Sequence, residues 1–147
     1  MAKPQLPEAL APDLLDRLIA RFAPFPLTRD WNLTLASLAP GRARLRLGPT
    51  PVTTNEEGRF VNGGVLSTIA DMACALALCT AFDGAMPFVT SDLHIRFLDP
   101  AEGEVFADAS VLRLSHRSAV LECHLSCPAG VAAICTAHFT IKPRLDV

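Results

Sequence analysis

The stretch FVNGGVLSTIADMACALALCTAF, Phe60 to Phe82, decides how the rest of the chain must fold. After the Gly63-Gly64 pair it is apolar almost throughout, too long for a strand and rich in helix formers. It predicts a central helix over about 64–82, roughly 19 residues and about 28 Å long. Being apolar all round, such a helix must be enclosed by other structure. One residue breaks the pattern: Asp71, set among alanines and methionine.

The enclosing structure follows directly. Phe88 to Leu98 alternates, with Val89, Leu93, Ile95 and Phe97 on one face and Thr90, Asp92, His94 and Arg96 on the other. Val105 to Leu114, Ala119 to Ser126 and Val131 to Ile141 read as further strands joined by short turn-like links, which implies an antiparallel meander. The apolar parity changes near Val111 and Leu112, so a bulge or a covered second face is expected there. Upstream, WNLTLASL and RARLRLG alternate around Ala39-Pro40-Gly41 and predict a β-hairpin. Before it, Leu14, Leu15, Leu18, Ile19 and Phe22 recur at helical spacing, giving a short amphipathic helix over about 12–22 that Pro24 and Pro26 end. The sum is a single α+β domain over 1–147 in which one sheet wraps one long helix.

The chain has 147 residues, of which 50% are hydrophobic and 19% charged, with a formal net charge of -2. No basic field exists to attract nucleic acid, so small-molecule or protein partners are expected. Prolines and charges interrupt the N-terminal stretch before any signal-like apolar core forms, which reads as cytoplasmic. Cys74, Cys79, Cys123, Cys127 and Cys135 are odd in number, show no CxxC pair and read as buried free thiols. A membrane span from Val65 to Phe82 is disfavoured, because Asp71 near its centre would cost at least ~2.5 kcal/mol.

The glycine pair marks a loop turning into a helix, whose first N–H groups have no partner inside the helix. Such a terminus can hold a developing oxyanion, although a glycine pair is also simply a tight turn. Asp71 lies about two turns in, beyond the reach of the helix dipole. Two readings stand side by side: a buried carboxylate bonded to the local hydroxyls of Ser67 and Thr68, or a functional carboxylate. Gly63 and Asp71 are separated by roughly 12 Å along a helix. If both act on one carbonyl, two chains must meet in a symmetric dimer carrying two equivalent sites.

These residues resemble the hotdog-fold acyl-CoA thioesterases, in the branch typified by phenylacetate-degradation (PaaI-like) enzymes. That family shows an Asn in the preceding loop, a His-Gly-Gly helix start, an Asp nine residues after the His, and a strand reading roughly T-x-D-L-x-I-x-F-x-x-P-A. The present chain has Asn55, Asn62-Gly63-Gly64, Asp71 and TSDLHIRFLDPA from Thr90 to Ala101. The resemblance implies that Gly63 or Gly64 donates N–H bonds to a thioester carbonyl and that Asp71 is the general base or nucleophile. It also implies that Thr90 lies near the attacking group and that Asn55 lines the site. The chemistry calls for no metal and no cofactor beyond the coenzyme A of the substrate. Asn62 departs from the family histidine: it can donate a hydrogen bond but cannot titrate near neutral pH.

Arg113, His116 and Arg117 cluster at a strand-to-strand turn where the resemblance places the nucleotide phosphates, with an ordinary solvated turn as the alternative. Asp92, His94, His124 and His138 read as solvent-side polar residues, since no HxH or HxxxH spacing supports a metal site. Phe25, Trp31, Phe60, Phe82 and Phe88 read as core, with an acyl pocket as their alternative use. The expected activity is hydrolysis of an acyl-CoA thioester by a homodimer or homotetramer. A non-catalytic acyl-CoA binding module of the same fold is the runner-up, and a hotdog dehydratase lacks a convincing His and Glu pair.

Overall fold

The structure, a computed structural model, describes residues 4–142. Helix α1 spans Leu14–Phe22 and a short helix α2 spans Pro26–Asp30. Pro26 therefore does more than end the first helix: it sits at the first position of the second, where its missing N–H costs nothing. The hairpin follows as β1 (Leu33–Ala39) and β2 (Arg42–Leu47). Its tight turn needs Gly41 at φ +68, in the left-handed region.

The central helix α3 spans Gly63–Cys79 and tightens into a 3-10 turn over Thr80–Phe82. Four strands complete the chain: β3 (Phe88–Phe97), β4 (Val105–Leu114), β5 (Ser118–Cys127) and β6 (Gly130–Ile141). The six strands form one antiparallel sheet in the order β1-β2-β4-β5-β6-β3. The chain thus leaves β2, crosses the concave face of the sheet as α3, and returns as β3 at the far edge.

Small side chains set how closely α3 approaches the sheet. Ala70, Ala73 and Ala77 are fully buried, and so are Ala107, Ala119 and Ala133 on the inner face of the strands. Alanine against alanine brings backbones close and makes a dense core without large residues. The buried Thr80 hydroxyl, which accepts the Gly41 N–H at 2.8 Å, ties the hairpin turn to the C-terminal end of α3. Enclosure of α3 is incomplete, contrary to its all-round apolar sequence. A stripe of Gly64, Thr68, Asp71, Met72 and Ala75 is only half-buried or exposed, so the helix offers one open face. By length and apolarity α3 with its 3-10 turn could cross a membrane, yet the sheet wraps its other faces.

The expected irregularity in β4 is present as a register shift between Val111 and Arg113 against β5. A second one, between Thr90 and Asp92, alters the face of β3. Thr90 pairs with Phe139 and Leu93 with Ala137, both inward residues, whereas Val89 pairs with the exposed Thr140. Thr90 therefore joins Leu93, Ile95 and Phe97 on the helix side, and Val89 turns outward. Strict alternation had placed the two the other way round, because a bulge adds a residue that period-2 counting does not see.

Candidate active site

The open stripe of α3 carries the carboxylate. Asp71 Oδ1 accepts a hydrogen bond from the Thr90 hydroxyl at 2.7 Å, which the bulge in β3 makes reachable. The local alternative does not form: Ser67 and Thr68 donate instead to the carbonyls of Gly63 and Gly64, each at 2.9 Å. A helical Ser or Thr finds the carbonyl one turn back before it finds a carboxylate one turn ahead. Asp71 thus keeps lone pairs free for a proton or a carbonyl carbon.

At the start of α3 the Asn62 side chain caps the helix, its Oδ1 accepting the Gly64 N–H at 2.8 Å. That bond consumes Gly64 as a donor. The Gly63 N–H has no acceptor among the described residues and is free to donate outward at this terminus. Gly63 also faces the Phe97 ring, whose tip lies 3.3 Å from where a Cβ would stand. Glycine at 63 is therefore a close approach between α3 and the end of β3. Asn62 itself is exposed, leaving its amide nitrogen able to donate outward.

Asp71 also lines an apolar cavity of about 230 Å³ together with Phe22, Thr28, Leu33, Leu35, Leu45, Met72, Ala75, Leu76 and Met86. Sequence reasoning did not single out Phe22, Met72, Ala75 or Met86. Ala75 was findable, since it stands one turn beyond Asp71 on the same helical face. The five aromatics considered for a pocket do not line this one. Phe88 packs edge-on against Phe139 at 5.5 Å and near Phe82 at 5.9 Å, while Phe25 is 52% exposed.

Asn55 works within its own loop, its Oδ1 accepting the N–H groups of Arg59 and Phe60 at 3.0 and 3.1 Å. Arg113, His116 and Arg117 lie exposed around the β4–β5 turn. One row across the sheet joins Thr90, Phe139, Ala119 and Leu114, so this basic turn lies at the same end of the sheet as the Asp71–Thr90 pair. His94 and His124 project from the outer face, where His138 meets the Ser91 hydroxyl at 2.7 Å. Among the described residues no group of three or more His, Cys, Asp or Glu is placed to hold a metal ion.

The cysteines are free thiols, and four of the five are buried. Cys123 and Cys135 face each other across β5 and β6. The Cys74 thiol is driven far up by hydrogen bonding with Cys123 and by burial, with the charge of Asp71 adding to the effect. Cys135 is raised in the same way through Cys74, and burial pushes Cys79 up to about 12. Held protonated, these three are poor nucleophiles. The open face of α3 carries the carboxylate, whereas Cys74 and Cys79 of the same helix are buried.

The thioesterase superfamily pattern matches residues 58–134, which include the helix start, Asp71, Thr90 and most of the meander. The chain belongs to the thioesterase superfamily. A Halobacterium salinarum protein, assigned as an esterase by inference, is 34% identical over 106 residues, covering 69% of this chain and 70% of its own length. The PaaI protein of the E. coli phenylacetic acid degradation operon superposes with a TM-score of 0.79 at 19% identity, covering 92% of this chain and 97% of that one. A conserved Pseudomonas aeruginosa protein gives 0.73 at 26% identity over 80% of this chain and 94% of its own. The architecture is thus the hotdog fold, and membership makes this thioesterase a hydrolase. Strands β1 and β2 and both N-terminal helices lie outside the matched segment.

Proposed function

We propose that the chain hydrolyses acyl-CoA thioesters at two equivalent sites shared across a homodimer. The observation that carries this reading is Asp71, bonded to Thr90 and set at an apolar cavity of about 230 Å³. A thioester presents an apolar tail and an electrophilic carbon, and this arrangement offers a cavity for the first and a carboxylate for the second.

Asp71 takes a proton from water as the oxygen attacks the thioester carbon, or attacks that carbon itself to form an anhydride that water then opens. Charge gathers on the carbonyl oxygen, where a Gly63 N–H receives it. Collapse breaks the C–S bond, and the thiolate leaves as coenzyme A after regaining a proton. Thr90, donating to one Asp71 oxygen, holds the other towards the substrate. Every step is proton or acyl transfer, so no cofactor is called for.

Within one chain Gly63 and Asp71 stand roughly 12 Å apart along α3, too far for one carbonyl. Strand β3 supplies the remedy, because it is an unpaired edge ten residues long with Val89 and Phe97 44% and 52% exposed. Phe97 stands against Gly63 and Thr90 against Asp71, at opposite ends of that edge. Antiparallel pairing of two β3 edges about a two-fold axis between Leu93 and His94 sets Thr90 beside the partner's Phe97. Each Asp71 then meets the partner's Gly63. Arg113, His116 and Arg117, at the Asp71 end of the sheet, are suited to the coenzyme phosphates. Five unpaired cysteines suit a reducing compartment, and we place the reaction in the cytoplasm.

The second reading, a non-catalytic acyl-CoA binder, is favoured by one observation: the Asn62 cap removes Gly64 from the donor set. Free coenzyme A release from short, aromatic and long acyl-CoAs by wild type and Asp71→Asn separates the two. Hydrolysis by the wild type with a loss of about a hundredfold or more in the variant is expected. Release by neither, with tight binding of an acyl-CoA, would establish the binder.

A further inference from the structure

We infer that the N-terminal segment builds the acyl-tail pocket of this chain and caps its length, selecting uncharged tails of about nine non-hydrogen atoms. The inference rests on Asp71 being the reacting carboxylate, since that places the thioester at one end of the cavity.

The cavity has two kinds of wall. Asp71, Met72, Ala75 and Leu76 form one side on α3, with Ala75 one helical turn beyond Asp71. The opposite side comes from Phe22, Thr28, Leu33, Leu35 and Leu45, all outside the segment shared with the superfamily. Met86 closes it from the loop after the central helix. The matched segment thus carries the reacting groups, whereas half of the wall that meets the tail lies outside it.

That wall is fixed in place. Leu14 and Leu18 of α1 are 1% and 2% exposed, packed into the main core. Arg17 donates to Asp83 at 2.7 Å and Arg21 to the Gly84 carbonyl at 3.2 Å, fastening α1 to the loop that leads to Met86. Gly84, at φ +85, lies so close to Leu14 that a Cβ would stand 2.9 Å from its Cδ1. Phe22 and Met86 are thus positioned by one joint.

Size and polarity then define the ligand. An apolar cavity of about 150 Å³ holds benzene, so about 230 Å³ takes roughly nine non-hydrogen atoms. That is an arylalkyl group or a straight chain of about eight or nine carbons. Apart from Asp71 the only polar lining side chain is Thr28, so a charged tail would be buried unpaired. Ala75 is the smallest side chain in the lining.

Hydrolysis-proof S-alkyl-CoA thioethers of two to sixteen carbons, titrated calorimetrically into the full chain, test this without depending on turnover. Affinity should rise about fourfold per methylene to about eight carbons and then stop rising. In Ala75→Phe, which fills existing space, the break should fall to about four carbons, and in Phe22→Ala it should move outward. A uniform climb through sixteen carbons, or a break at the same length in both folded variants, would overturn the inference. Failure of Asp71 as the reacting group would appear elsewhere, as turnover unaffected by Asp71→Asn with the length break still present.

Discussion

The two edges of the sheet are finished in opposite ways. Strand β1 is covered by its own chain: α1 and α2 pack against it, and the resulting space holds the apolar cavity. Strand β3 is left bare among the described residues and is longer, with Asp71 and Gly63 near its two ends. The covered edge completes something a single chain can do, namely enclose an apolar cavity. Under the proposed mechanism the bare edge exposes something a single chain cannot do, because Asp71 and Gly63 lie too far apart along α3. On this account the two edges respond differently to damage: the first in stability and specificity, the second in assembly and turnover.

The largest effect should come from separating the two halves of the site at the bare edge. Asp71→Asn and Gly63→Val, the latter adding atoms against Phe97, should each lose about a hundredfold or more in kcat/KM. Co-expressed with different tags and purified as the heterodimer, they should regain about half of wild-type activity. One site then has both intact groups and the other neither. A heterodimer as inactive as its parents would show that the site lies within one chain and that the bare edge is not shared.

The covered edge should behave otherwise. Leu18→Ala removes a side chain only 2% exposed from between α1 and the core, which should cost about 2–5 kcal/mol. A lower urea midpoint with the dimer mass unchanged in sedimentation is the expected result. Dissociation on weakening α1 would mean that the two edges are coupled, and the contrast between them would fail.

How much of this could be read in advance follows the same division. The helix α3, the meander and the β4 irregularity are written in local periodicity, so Ala70 to Ala77 and Val111 to Leu112 were legible within one window of sequence. The side of β3 on which Thr90 falls was not, because it depends on register against β6, some 49 residues away by the Thr90 to Phe139 pairing. Asp71 announced itself as an unpaired charge on an apolar helix. Its partner could not be read from spacing, where the nearby hydroxyls of Ser67 and Thr68 looked equally good; only the family resemblance put Thr90 near it. The tail cavity was the least legible feature. It forms between segments far apart in the chain, and nothing in the runs around Phe22 or Met86 marks them as neighbours of Ala75.

The smallest predicted stability change concerns Asn62, which has two separable duties. As a cap it accepts the Gly64 N–H at 2.8 Å, and Asn62→Ala should therefore lose about 1 kcal/mol of stability. As an exposed amide its nitrogen can also donate outward, under the proposed mechanism to the substrate carbonyl held at the same terminus. Asn62→Asp divides these duties. Aspartate caps a helix as well as asparagine does and suits the positive end of the dipole, so stability should hold or rise. It offers no donor and sets negative charge beside the oxyanion, so kcat/KM should fall by about tenfold or more. Urea titration and turnover measured on both variants read the two duties independently. Full activity in Asn62→Asp would reduce the residue to a cap and leave the oxyanion to backbone donors of this helix start.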